Sequence, residues 1–261
     1  MLAALWVSKT GLSAQNAALT AISNNLANVS TIGFKRDRAI FQDLLYQIQR
    51  QPGALASQDT QLPSGIQLGT GVRIAGTQKV FTAGSLQITD NEFDIAINGK
   101  GFLTFLLPDG SLGYTRDGQL HLNVNGQLVT ANGDPLQPNI TIPADSQSLN
   151  IGRDGTVTVV IAGDTDFTEV GNIQLVHFLN PAGLQAIGSN LYRQTAASGT
   201  PQEGTPGLNG LGTLEQGALE NSNVSVVEEL VNMISTQRAY EMNSKVVSTA
   251  DRMMQHISQN L

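Results

Sequence analysis

The chain has 261 residues, a net charge of −7 and only 13% charged side chains, about half the usual share, so the basic face that nucleic acid needs is missing. Cysteine is absent, which excludes disulfides, thiolate metal sites and cysteine nucleophiles. The longest apolar run, Met1–Val7, is too short to span a bilayer; no basic residue precedes it and Lys9 follows, so the chain is expected neither to be membrane-inserted nor to carry a cleaved signal.

The first 34 residues carry one charge, Lys9. Leu5, Leu12, Leu19 and Leu26 recur every seven residues, and Ser8, Gln15, Ile22 and Val29 follow each by three. This heptad-like stripe predicts a helix. Its opposite side holds Ser13, Asn16, Ser23, Asn24, Asn25 and Asn28. A helix bathed in water normally carries charge there, so a small uncharged polar side suits packing against protein on several sides. Residues 47–64 are polar and turn-prone, with Pro52-Gly53 and Pro63-Ser64-Gly65.

A β-rich middle follows. Turn signals recur at Asp109-Gly110, Asp117-Gly118, Asn125-Gly126 and Asn132-Gly133, with a further one at Asp154-Gly155. Short alternating runs separate them, so a meander of hairpins is expected, with Leu120, Leu122 and Val124 on one side. Ala196–Gly212 reads as a surface connection. The chain ends on a second helix, where Val226, Met233, Tyr240, Val247, Met254 and Leu261 are spaced by seven and Leu230, Ile234, Ala250 and Ile257 widen the stripe. Ser225 and Glu228 have the spacing of a capping box at its start. Polar Ser8, Gln15, Thr236 and Asn243 in the stripes argue against a simple two-stranded coiled coil. Two readings of the paired stripes stay open, core helices of one domain and intersubunit packing.

Chemistry is sparse. His121, His177 and His256 are isolated, and no familiar nucleophile and base spacing occurs. Gly99-Lys100-Gly101 precedes a strand pattern rather than a helix, so it reads as a tight hairpin turn and not a phosphate loop. Asp164, Asp166 and Glu169 lack the spacing of a calcium loop and read as a solvated hairpin tip. Lys35, Arg36 and Arg38 are too few for a nucleic-acid patch. No catalytic residue, cofactor, metal or small-molecule substrate is expected.

Three stretches resemble one family. Ser23 to Lys35, including Asn24, Asn25, Asn28, Gly33 and Phe34, is similar to the N-terminal signature of the bacterial flagellar rod and hook proteins. Asp94 to Phe102, with Gly99 and Gly101, resembles its central motif; Gly217–Asn223 with Glu228–Glu241 resembles its closing motif. Phe41 to Tyr46, followed by an extension at 46–65 containing Tyr46, Pro52, Gly53, Leu62 and Pro63, is most like the distal-rod branch and is absent from hook proteins. The resemblance implies an α+β fold with N- and C-terminal α-helices paired in a coiled-coil-like domain and a β-rich middle of antiparallel hairpins.

It further implies a helical inner-tube domain of residues 1–34 with 222–261. A connecting region of 35–81 with 187–221 and a β-rich outer domain of 82–186 complete the division. The polymerisation interface would comprise Leu5, Leu12, Leu19, Ile22, Leu26, Val226, Leu230, Met233, Tyr240, Val247, Met254 and Leu261. The partners implied are copies of the chain itself, proximal rod proteins, the hook protein and the surrounding rings, reached by export without a cleaved signal. Two rivals remain, another axial member such as a proximal rod protein and a secreted β-rich adhesin.

Overall fold

The computed structural model describes residues 2–53, 63–162 and 166–259. Asn28–Arg36 and Lys79–Val224 form one compact unit, and the other described residues form a second. The fold is α+β with paired terminal helices and an antiparallel β-rich middle, as the sequence predicts.

In the helical unit, α1 (Leu2–Ala27) packs against α2 (Val226–Gln259). α1 has neither proline nor a run of β-branched residues to interrupt it. It does contain Gly11, which costs about 1 kcal/mol relative to alanine inside a helix. The glycine answers a close approach, because a Cβ there would lie 3.1 Å from Asn243 Nδ2 of α2. α1 stops at Ala27, before the heptad frame ends at Val29. Beyond it Thr31 donates to Asn28 through both its backbone N and its hydroxyl, forming a turn. At the start of α2, Glu229 N donates to the Ser225 carbonyl over 3.0 Å, which puts Ser225 at the cap position.

Four strands complete this unit: β1 (Asp37–Asp43), β2 (Tyr46–Arg50), β3 (Ile66–Gly69) and β4 (Val72–Lys79). β1 pairs with β4 and β2 antiparallel with β3, so the chain makes a long two-stranded ribbon. The ribbon is pinned to α1 at two places. Thr10 Oγ1 accepts from Val72 N at 3.3 Å, and Asn25 bonds the Asp37 backbone. Thr10 to Asn25 spans about 22 Å of helix, and Asp37 to Leu44, whose N donates to Gly71 O beside Val72, about 23 Å of extended chain. The two elements therefore run the same length side by side in opposite directions.

In the β unit, one five-stranded sheet orders Leu136–Gln137, Leu103–Leu106, Leu112–Thr115, Leu191–Arg193 and Gln185–Gly188. A three-stranded antiparallel sheet of Ser146–Ile151, Thr156–Ile161 and Phe167–Asn172 lies in the same unit. Ile95, Ile97, Leu103, Phe105, Leu128 and Val157, none more than 1% exposed, belong to one continuous core. An adjoining aromatic cluster stacks Phe102, Tyr114, Phe178 and Tyr192 edge to face, with Tyr114 and Phe178 centroids 4.8 Å apart.

The turn signals work by a shared device, a side-chain oxygen accepting from the amide two residues on. Asp109 takes Ser111 N, Asp117 takes Gln119 N, Asn123 takes Asn125 N and Asp154 takes Thr156 N. The expected simple meander is nevertheless interrupted. Ile95 N donates to Gly118 O, and Leu112–Thr115 takes a distant partner at Tyr192. Leu120 is buried, but Leu122 and Val124 are exposed, because the strand ends at Leu122 and the chain turns. Gly99–Gly101 is also not a hairpin turn: Ile95–Asn98 pairs with Thr213–Gln216, whereas Leu103–Leu106 pairs with Leu112–Thr115, so the segment crosses between sheets.

The outer edge of Ser146–Ile151 is occupied in part by a side chain. Gln216 Oε1 accepts from Ile151 N at 3.0 Å while its Nε2 donates to Leu149 O at 2.9 Å and Glu92 O at 2.8 Å.

Candidate functional site

Along α2 the least exposed residues are Glu229, Met233, Thr236, Ala239, Asn243, Val247 and Ala250, spaced by three or four as a helix interface requires. Small and polar groups dominate this inward side. The larger apolar residues turn away: Val226, Leu230 and Tyr240 are 40–42% exposed, Ile234 52%, Val231 60% and Met242 62%. The heptad set therefore divides, with Met233 and Val247 facing inward, and Val226, Leu230, Tyr240 and Met254 outward. On α1, Ile22 is buried and Leu5, Leu12, Leu19 and Leu26 are half-buried. Leu261 lies outside the described residues. Large apolar side chains thus form an exposed stripe along α2.

Asn25, 1% exposed, joins three elements. Its Nδ2 donates to the Asp37 carbonyl at 2.9 Å and to Glu229 Oε1 at 3.4 Å, and its Oδ1 accepts from Asp37 N at 2.8 Å. Glu229 is 4% exposed. Asn24 sits on the outer side and reaches Asp37 Oδ2 at 3.4 Å.

In the β unit the remaining signature residues surround a buried ionic centre. Lys35 Nζ donates to Glu220 Oε1 at 2.7 Å and to the Thr82 carbonyl at 2.7 Å. Arg116 Nε donates to Glu220 Oε2 at 2.6 Å, and its other nitrogens reach the carbonyls of Ile97, Gly99 and Gly101. Two cations thus share one carboxylate, and the excess charge is spread over four carbonyl oxygens. Burial pushes the Lys35 ammonium down from its ordinary value, against the pull of Glu220. Burial also opposes ionisation of Glu220, but the Arg116 and Lys35 charges outweigh it and hold the carboxyl below its usual range.

Gly33 adopts φ +69°, and a Cβ there would lie 2.7 Å from Asp117 N, so the turn that delivers Lys35 tolerates glycine alone. Phe34 and Phe102 are buried. Asp94 accepts from the Thr89 hydroxyl at 2.7 Å and from Asn91 Nδ2 at 3.1 Å. These motif residues are therefore structural. The sequence places Lys35 at the end of the N-terminal signature and in a small basic cluster but does not reveal its partner; the signal available is an acid after Gly217-Ala218-Leu219 in a chain so poor in charge.

The extension emerges as the β2–β3 ribbon. Tyr46 is 53% exposed, Ile48 60%, Ile66 47% and Leu68 46%. Pro52, Gly53 and Pro63 are exposed near its tip, and Leu62 lies outside the described residues. His121 and His256 are exposed. Among the described residues no three His, Cys, Asp or Glu side chains are grouped to hold a metal ion, and no helix is long and apolar enough to cross a membrane. Asp164 of the acidic cluster lies outside the described residues.

Comparison with known proteins adds three family matches: "Flagella basal body rod protein" over residues 5–35, "Flagellar hook protein FlgE/F/G D1 domain" over 96–159 and "Flagellar basal body rod FlgEFG protein C-terminal" over 215–260. The chain is 57% identical over 259 residues to the flagellar basal-body rod protein FlgG of Buchnera aphidicola subsp. Schizaphis graminum, covering 99% of this chain and all of that one. It is 47% identical to the protein of that name in Borreliella burgdorferi, over 97% of both chains, and 38% identical to that of Bacillus subtilis, over 98% of both.

Proposed function

Since the chain belongs to the flagellar basal-body rod protein family, we propose that it is a structural subunit which assembles helically with copies of itself into the distal rod, the hollow drive shaft that carries motor torque to the hook. The observation that carries this reading is the division of α2, with mostly small and polar residues toward α1 and most of the large apolar ones outward. An outward stripe of valine, leucine, isoleucine and methionine along a helix has no use in an isolated chain, whereas each of these side chains gains about 1.5–3 kcal/mol if a neighbouring copy buries it. The interface would comprise the heptad residues of both helices. The exposed β2–β3 ribbon, with Tyr46, Pro52, Gly53, Leu62 and Pro63, would wedge between subunits and stiffen the shaft.

On this reading the chain is not an enzyme and needs no cofactor. Its neighbours are proximal rod proteins below, the hook protein above and the rings around it, at the level from periplasm to outer membrane. Sedimentation of purified protein across a concentration series, followed by electron microscopy of the fast fraction, tests the proposal. Straight hollow filaments should form above a threshold concentration. A chain that stays monomeric at every concentration, with or without short filament seeds, would overturn it.

A further inference from the structure

The contacts between α1 and α2 obey one numerical relation. Asn25 meets Glu229, and Gly11 lies against Asn243. Each step along α1 is matched by an equal step backward along α2, and the two contacts are two heptads apart. By the same relation Ala18 stands opposite Thr236, so the residues that meet one per heptad along this line, Asn25, Ala18 and Gly11 against Glu229, Thr236 and Asn243, are small or polar. A slip of one heptad, about 10 Å, would therefore set small side chains against small or polar ones again and meet no steric bar. Gly11 would then oppose Ala250, which is also compatible.

The polar contacts do not survive the slip. Asn25 would face Thr236, Asn243 would face Ala18, and Glu229 would pass beyond the end of α1 and lose its partner. A buried polar pair of this kind is the best-attested means of selecting one register among several that packing alone would admit. Asn25 is also held by the Asp37 backbone on the ribbon side, so its amide cannot follow the slip. We propose that Asn25 and Glu229 are the positioning residues that fix the register of the helix pair. Identical subunits can repeat along a helix only if every copy holds its two ends in one register, so the assignment bears on assembly without depending on it.

The cysteine-free chain suits a direct test by disulfide trapping in the full-length protein. Ala18→Cys with Thr236→Cys reports the observed register, since these positions fall one heptad inside the two contacts. Ile22→Cys with Ala239→Cys reports a slip in one direction, and Ala14→Cys with Met233→Cys a slip in the other. In the parent only the first pair should close under mild oxidant as an intrachain bond. In Asn25→Leu combined with Glu229→Leu, a slipped reporter should close at least tenfold more than in the parent, while the circular dichroism melt of the β unit is unchanged. Glu229→Gln, which keeps an oxygen acceptor, should retain the first pair. The assignment is overturned if the double variant still closes only the first pair. It is overturned equally if all reporters fall without a slipped product, because the residues then merely stabilise the pair.

Discussion

Lys35 and Glu220, 185 positions apart in sequence, meet at 2.7 Å with side chains 0% and 1% exposed. Glu220 also accepts from Arg116 and from Gly84 N at 2.8 Å, so one carboxylate organises a lysine, an arginine and a backbone amide in the interior of the β unit. Removing the carboxylate leaves two buried cations facing each other.

Glu220→Leu should therefore cost about 3–5 kcal/mol, the usual penalty for breaking a buried pair from one side. Lys35→Met should cost less, about 1–3 kcal/mol, because Arg116 still neutralises the acid and the Thr82 carbonyl keeps Asn223 Nδ2 as a donor at 3.3 Å. Urea unfolding followed by far-ultraviolet circular dichroism checks the order, and equal losses would contradict it.

The same centre sets an acid limit. Glu220 is held below its ordinary value in the folded chain, so its stabilisation is complete above the unfolded carboxylate range, about pH 4.3. It is lost as pH falls through the depressed folded value. Asp117 works in the opposite sense: burial raises its value, so stability declines as pH rises through that raised value. Glu220→Gln should flatten the acid limb of a stability against pH curve, and Asp117→Asn should remove the decline above it.

Leu230→Asp and Ile234→Asp place charge on the outward side of α2, where nothing in the same chain is displaced. Monomer stability should change within about 0.5 kcal/mol, as for other surface substitutions, while polymerisation fails because the carboxylate would be desolvated in every subunit. Leu19→Asp, at a half-buried position, should lose assembly and also loosen the helix pair. Paired melting and sedimentation runs separate the two effects.

Deleting residues 47–64 removes Gln47–Arg50 of β2 and leaves β3 without its partner strand. A two-stranded ribbon exposed on both sides is marginal by itself, so its deletion should leave the melting of the β unit unchanged. Filaments of the variant should be curved or flexible in electron micrographs. Straight filaments would show that the ribbon contributes no stiffness.

What the sequence made legible was local. The sevenfold spacing marked both helices because helix period is written in adjacent turns, and the Asx-Gly pairs marked the turns because each is closed by a side chain in the turn or two residues before the pair. The inward side of α2 was not legible. Leu230 and Met233 fall in the same apolar stripe, and only the partner helix distinguishes the exposed one from the half-buried one. Strand partnership was hidden for a related reason: Tyr114 pairs with Tyr192, and nothing near either residue announces the other. The ionic centre needed three segments, around Lys35, Arg116 and Glu220, and no window of sequence contains more than one of them.

The amide of Gln216 at the edge of Ser146–Ile151 has a consequence for solubility. A protein made to be packed at very high local density is exposed to unwanted strand addition wherever a sheet presents bare amides and carbonyls. Gln216 fills one rung of that ladder with a side chain that cannot be extended by another chain. Its loss would bare that rung and lengthen the open part of the edge, and the protein would then precipitate through its sheets.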